Sequence, residues 1–249
     1  MDAGPERPYG LGYHEKETAM CLNHLPIASR RAFLVTAAAA GAAAAVIEPA
    51  HAKTVITTPD QAVAALMAGN ARYVANHPRE RDFSARRMHT AEGQSPFAAV
   101  LGCADSRVAP ELAFDQSPGD LFTVRVAGNF ATAEILGSLE FGAAVLGTKA
   151  ILVLGHTRCG AVDATVQALK THNDLPGHIA GLVTAMKPGI EPALADPGAA
   201  NIKAVAANVR YAVTTLTGSS EILAGLVAAG KLRVLGGVYD LATGAVSLV

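Results

Sequence analysis

Three short runs, each closed by glycine, constrain this chain more than anything else in it: "FAAVLG" (Phe97 to Gly102), "DLFTVRVAG" (Asp120 to Gly128) and "KAILVLG" (Lys149 to Gly155). Near-continuous apolar sequence of this length, without alternation, suits strands covered on both faces, the condition of a parallel sheet. Parallel strands need crossover connections, and the sequence between and after these runs has helical character. "TPDQAVAALMAGNARYVANH" has Thr58 placed to cap a helix, Pro59 at its first position, and Val63, Leu66, Met67, Tyr73 and Val74 at helical spacing. "TAEILGSLEFGAAVLG" reads as a helix packed closely on a sheet, despite the propensity cost of Gly137 and Gly142.

"CGAVDATVQALK", "NIKAVAANVRYAVTTL" and "SSEILAGLVAAGK" read as further helices. The C-terminal "LRVLGGVYDLATGAVSLV" reads as a strand pair with its turn at Thr243 and Gly244. The stretch "ERDFSARRMHTAEGQSP" (Glu80 to Pro96) has neither period and reads as a connecting loop or arm. The expectation is an α/β fold: a mainly parallel central sheet of about four strands plus an antiparallel C-terminal strand, flanked by helices, with an N-terminal helical arm.

The first part of the chain reads as a separate element. "SRRAFLV" (Ser29 to Val35), an alanine-rich run to Ile47, and "AHA" (Ala50 to Ala52) give a charged region, an apolar region and a small-residue cleavage site in the order of an export signal. Arg30 and Arg31, followed by Phe33 and Leu34, point to twin-arginine export and so to a periplasmic or secreted protein. The apolar stretch, about 15 residues and mostly Ala, falls short of the ~20 of a membrane span. Residues 1–52 are therefore expected to be a cleaved extension and 53–249 the working domain; a start at Met20 would give a more usual signal length.

Of the 20 basic and 21 acidic residues, four and five precede residue 53, which leaves 16 of each in the domain. That balance gives no excess with which to hold a polyanion, and nucleic acid is not an expected partner. Of three cysteines, Cys21 leaves with the signal, while Cys103 and Cys159 remain. Two cysteines in an exported protein ordinarily form a disulfide, and any metal site built on them competes with that bond.

In parallel sheets, ligands bind beyond the carboxyl ends of the strands, where connections diverge. Cys103 lies one residue past the strand ending at Gly102, and His156 one residue past the strand ending at Gly155. If these strands are neighbours, both side chains meet at one edge, and "HTRCG" adds Cys159 at the start of the next helix. Two thiolates and an imidazole form a zinc donor set with a fourth tetrahedral position to spare. Unpaired N–H groups at that helix start favour the Cys159 thiolate.

"CADSRV" followed by "GHTRCG" resembles the zinc motif pair of the β-class carbonic anhydrases, over most of the domain. The resemblance implies one Zn2+ per subunit on Cys103, His156 and Cys159. It makes Asp105 a mobile carboxylate, catalytic when paired with Arg107 and a fourth metal ligand only in a closed state. "GQSP" is similar to the segment whose glutamine, here Gln94, donates to substrate across a dimer. Phe122 falls at the pocket-lining aromatic position of "PGDLFTVRVAGN", and Phe141 stands where some members have Tyr.

The implied reaction is reversible hydration of carbon dioxide to bicarbonate and a proton, by a homodimer or dimer of dimers whose N-terminal helix packs on the partner. Some members carry a Trp three residues before the first ligand, associated with a non-catalytic bicarbonate pocket; this chain has Val100 there and no Trp. Two other readings stay open. One is a zinc hydrolase of carbonyl sulfide or carbon disulfide. The other is a non-catalytic binding module stabilised by zinc or a disulfide, which has no use for Asp105, Arg107 or Gln94. His172 and His178 lie in a polar stretch and read as surface residues more readily than as proton relays.

Overall fold

The computed structural model describes residues 55–172, 175–195 and 201–249; the side chain of Asn201 is not described. The export-signal reading of residues 1–52 lies outside the described residues. No described helix is long and apolar enough to cross a membrane.

Five strands form one sheet in the order β2-β1-β3-β4-β5: β1 (Ala98–Gly102), β2 (Leu121–Arg125), β3 (Ala150–His156), β4 (Arg233–Tyr239) and β5 (Val246–Leu248). The first four are mutually parallel and β5 is antiparallel to β4, as expected from the sequence. Every residue of β1 and β3 is buried, whereas β2, at the sheet edge, is half-buried after Leu121. The continuous apolar pattern therefore marks the central strands well, and Thr123 and Arg125 mark the edge.

One sheet face packs on α4 (Ala133–Glu140), α5 (Gly160–Thr171), α6 (Ile179–Ile190), α7 (Asn201–Ser219) and α8 (Glu221–Ala228); the other packs on α1 (Pro59–Val74) and α3 (Pro110–Ala113). α7 lies very close to the sheet. A β-carbon on Gly155 of β3 or Gly236 of β4 would meet the Val209 side chain at 2.6 or 2.5 Å, so both glycines are needed for this approach.

The start of α1 is the expected one, with Thr58 and Gln61 forming a capping box and Pro59 at the first position. Buried Asn70 then fixes α1 to two other elements. Its amide nitrogen donates to the Ala113 and Gly244 carbonyls, and its oxygen accepts from the Val246 N–H. Some elements depart from the sequence reading. The arm contains a helix, α2 (Phe83–Thr90), capped by Asp82. It buries no residue, and without a core-facing side it has no apolar period to read. α6 was not expected either, because Pro188 lies inside it and His178 opens it; yet Met186 and Ile190 are fully buried. The helix after β2 also changes form, since Phe141–Val145 continue α4 as a π-helical turn.

Asp115 joins the arm to this framework. Its carboxylate accepts from Arg72 Nε of α1 at 2.5 Å, from Arg81, and from the Arg79 N–H, and its side chain is 1% exposed. Burial alone pushes this carboxyl up, but the Arg72, Arg81 and Arg79 hydrogen bonds outweigh it and hold the pKa below the ordinary value of 3.8. With a folded pKa below the unfolded one, the stabilisation is complete above the unfolded value and is lost as pH falls through the folded one. Asp115→Ala is expected to lower the unfolding free energy at pH 7 by about 2–4 kcal/mol. Urea titrations of parent and variant at equal concentration should show this difference shrinking below pH ~4.

Candidate metal centre

The pairing of β1 with β3 sets Gly102 beside Leu154, so β1 ends two residues short of the end of β3 and both strands finish at the same edge of the sheet. Cys103 follows β1 directly, and His156 is the last residue of β3 rather than the first beyond it. The chain then turns through Arg158, whose φ of 54° is left-handed, and reaches Cys159 as the N-cap residue of α5. The Cys159 side chain makes no capping hydrogen bond, which leaves its sulfur for another partner.

The ligating atoms of Cys103, His156 and Cys159 lie within 4.8 Å of one another, and all three residues are buried. The sulfurs are 3.9 Å apart and both cysteines are free, so the competing disulfide is not formed. Tetrahedral zinc with bonds of about 2.3 Å would hold two sulfurs about 3.8 Å apart. His156 is fully buried, and its Nδ1 is 3.0 Å from the Thr157 carbonyl, an acceptor, which assigns the proton to Nδ1. That leaves Nε2 as a buried lone pair with no hydrogen-bond partner. An orphaned imidazole nitrogen beside two thiols at this separation fits a zinc-type ion.

Electrostatics agree with the geometry. The hydrogen bond from Cys159 draws the Cys103 pKa down to about 4 against the opposing effect of burial, with further help from His156 and the Gly128 N–H. Cys159 is pushed up by its bond to Cys103 and by burial. Without a cation the pair therefore ionises once readily and a second time with difficulty, because two negative sulfurs would face each other in an apolar setting. A divalent ion between them removes that repulsion.

Asp105 stands at the rim of the donor triangle and is held on Arg107. Arg107 Nε donates to Oδ1 at 2.9 Å and Nη2 to Oδ2 at 2.7 Å, while the Arg107 N–H also donates to Oδ1 at 2.9 Å. These bonds, chiefly the guanidinium, hold the Asp105 carboxyl well below the usual range, against a smaller effect of burial. Its Oδ2 is 3.8 Å from His156 Nε2, so the carboxylate adjoins the donors while engaged by arginine.

Arg125 was missed from sequence. From the end of β2, its Nε donates to the Cys103 carbonyl at 2.9 Å and its Nη2 to the Asp105 carbonyl at 2.7 Å. A lone cation closing an otherwise apolar strand was the available signal. The remaining candidates are not in the cluster. Gln94 is exposed on the loop before β1. It thus precedes the opposite end of that strand from Cys103, and the five-residue strand alone spans about 16 Å. Phe122 and Phe141 pair with each other, ring centroids 6.4 Å apart, at the sheet edge on the face that Cys103 shares. His172 and His178 are exposed.

Strand ends that deliver two buried cysteines and a histidine, with a carboxylate–arginine pair at the rim, define an α/β enzyme fold carrying a three-donor cluster suited to a metal ion. Comparison with known proteins agrees: a sequence profile described as carbonic anhydrase matches residues 98–246. The chain belongs to the β-carbonic anhydrase family. It is similar to carbonic anhydrase 2 of Mycobacterium tuberculosis, with 36% identity over 76% of this chain and 91% of that protein. The carbonic anhydrase of Mycolicibacterium smegmatis is 38% identical, over 77% of this chain and 94% of that one. Among solved structures, the Coccomyxa β-carbonic anhydrase in complex with acetazolamide is 31% identical, covering 67% of this chain and 77% of that one with a TM-score of 0.60.

Cys103→Ser, Cys159→Ser and His156→Ala should each lower zinc affinity by about a hundredfold or more, read by competition with a chromogenic chelator. For the parent, affinity should fall as pH is lowered from 8 to 6, because the ion must displace protons from sulfur and imidazole. A variant that binds zinc as the parent does would remove the substituted residue from the site.

Proposed function

We propose that the protein hydrates carbon dioxide reversibly to bicarbonate and a proton, with one zinc ion per chain on Cys103, His156 and Cys159. The observation that carries this reading is the Asp105–Arg107 pair, with Oδ2 3.8 Å from His156 Nε2, which a purely structural zinc site does not need. A zinc ion held by these residues would lower the pKa of a coordinated water from 15.7 to about 7, and so would supply the hydroxide that carbon dioxide, a weak electrophile, requires.

The protein's own groups do the rest. Asp105, kept ionised by Arg107, is an acceptor only; it can receive a hydrogen bond from a hydroxyl and orient that group's lone pair toward substrate. The forked guanidinium fixes both carboxylate oxygens, which a lysine cannot do. Arg125 holds the carbonyls on either side of Ala104, so the Asp105 backbone keeps its place. Phe122 and Phe141 offer an apolar wall suited to a nonpolar linear substrate.

We propose a homodimer or a dimer of dimers. α2 buries nothing within the chain yet exposes Phe83 by 57% and Met88 by 76%, and β2 is an open sheet edge beside it. Gln94 lies on the same arm, far from its own chain's donors, so a second copy is the route by which it meets a site.

Stopped-flow hydration by the zinc-loaded protein between pH ~6.5 and 9 tests the reading. Asp105→Asn should lower kcat by about a hundredfold and Arg107→Lys by about tenfold, both with zinc retained. Parallel assays with carbonyl sulfide separate the alternative substrate, and sedimentation of the same sample should give a dimer or larger. No acceleration of carbon dioxide hydration by zinc-replete protein overturns the proposal.

Export belongs to the same proposal: the Arg30 and Arg31 pair ahead of an alanine-rich run supports the twin-arginine route, which would deliver the folded protein with both thiols already on zinc. Activity should fractionate with the periplasm, and Arg30→Lys with Arg31→Lys should retain it in the cytoplasm.

A further inference from the structure

Asn208 is a polar residue in an apolar helix face. Its neighbours on α7, Ala204, Val205, Val209 and Ala212, are core residues no more than 1% exposed, and Asn208 is itself 1% exposed. Its Nδ2 donates to the Gly128 carbonyl at 2.8 Å, while its Oδ1 has no partner. A leucine would fill similar space without burying that oxygen, so the amide is there for the bond it makes.

The bond falls on a residue that touches the metal centre. The Gly128 N–H donates to the Cys103 sulfur at 3.3 Å. Gly128 has φ of +88°, and a β-carbon there would meet the Met186 sulfur at 2.3 Å, so only glycine fits. Glycine is also the residue freest to rotate, and an N–H on a glycine keeps its direction only if its flanking peptides are held. On the carbonyl side the anchors are the Asn208 amide and the turn bond from the Asn129 N–H to the Val126 carbonyl.

We propose that Asn208 is a positioning residue: acting through Gly128, it keeps a backbone N–H on the Cys103 sulfur and thereby limits the charge that this ligand gives to the metal. This rests on the proposed zinc site. A hydrogen bond to a coordinating thiolate withdraws electron density from it, and such outer contacts tune metal sites. α7 thus influences Cys103 from about a hundred residues away in sequence without contributing a ligand.

The test uses the full-length protein with cobalt(II) in place of zinc, where the sulfur-to-cobalt charge-transfer absorption reports thiolate donation directly. Asn208→Leu removes the donor and keeps the volume; Asn208→Ser is too short to reach the carbonyl and serves if the leucine variant does not fold. Val209→Ala, which trims the packing on Gly155, is the control for general loosening. In both Asn208 variants the charge-transfer band should move to lower energy and the Gly128 amide should lose hydrogen-exchange protection, with the band of Val209→Ala unmoved. Bands that stay in place in folded Asn208 variants, or that move equally in Val209→Ala, overturn the inference alone. An unsubstituted protein that shows no thiolate-to-cobalt band overturns the metal reading and this inference with it.

Discussion

The parallel pairing of β1 with β3 is the constraint on which the rest depends. These strands are separated in sequence by α3, β2, α4 and its π-helical turn, yet their registered pairing brings Cys103 and His156 to one edge. The order β2-β1-β3 also sends the connections from β1 and β3 in opposite directions, which opens a crevice at their carboxyl ends. Cys159 needs no further long-range contact, because the left-handed Arg158 returns the chain within three residues of His156. One strand pairing and one tight turn thus assemble three donors. A slip of one residue in that pairing would turn every β1 side chain to the wrong face and separate the ligands.

Burial and exposure then divide the work at the site. The three donors are buried, where a pair of thiolates is expensive without a cation, so loss of the second thiol proton is coupled to binding of a cation. Outward from them, the Asp105 side chain is 16% exposed and that of Arg107 54%. Solvation at the guanidinium makes an ionised carboxylate sustainable beside an apolar pocket, since the positive partner is not itself desolvated. The gradient from dry sulfur to wet guanidinium spans five residues, Cys103 to Arg107.

Legibility in the sequence followed burial. β1 and β3 could be read because both their faces are covered, and α1 because Thr58, Pro59 and Gln61 act locally at its start. α2 could not, since its apolar Phe83 and Met88 face away from the chain's own core. The donor set was legible as a spacing, and the disulfide alternative fell only when the 3.9 Å separation of two free thiols was seen. Asn208 was out of reach because it acts on a backbone carbonyl, and main-chain acceptors leave no mark in a sequence; for Arg125 the sequence showed the cation but not the two carbonyls it holds.

The two arginines near Asp105 hold different parts of it. Arg125 is bound to the carbonyls of Cys103 and Asp105, and strand bonds between Val126 and Gly102 and between Ala104 and Val126 fix the same segment. Arg107 holds only the carboxylate, through its side chain and its own N–H. Backbone and side chain are therefore restrained independently. Were the carboxylate to leave Arg107, it would give up three hydrogen bonds at a partly solvated site and rotate about the Asp105 side-chain torsions, while the backbone that carries Cys103 would stay fixed. A loop held only through Arg107 would move a metal ligand each time its aspartate moved; the Arg125 clamp removes that coupling.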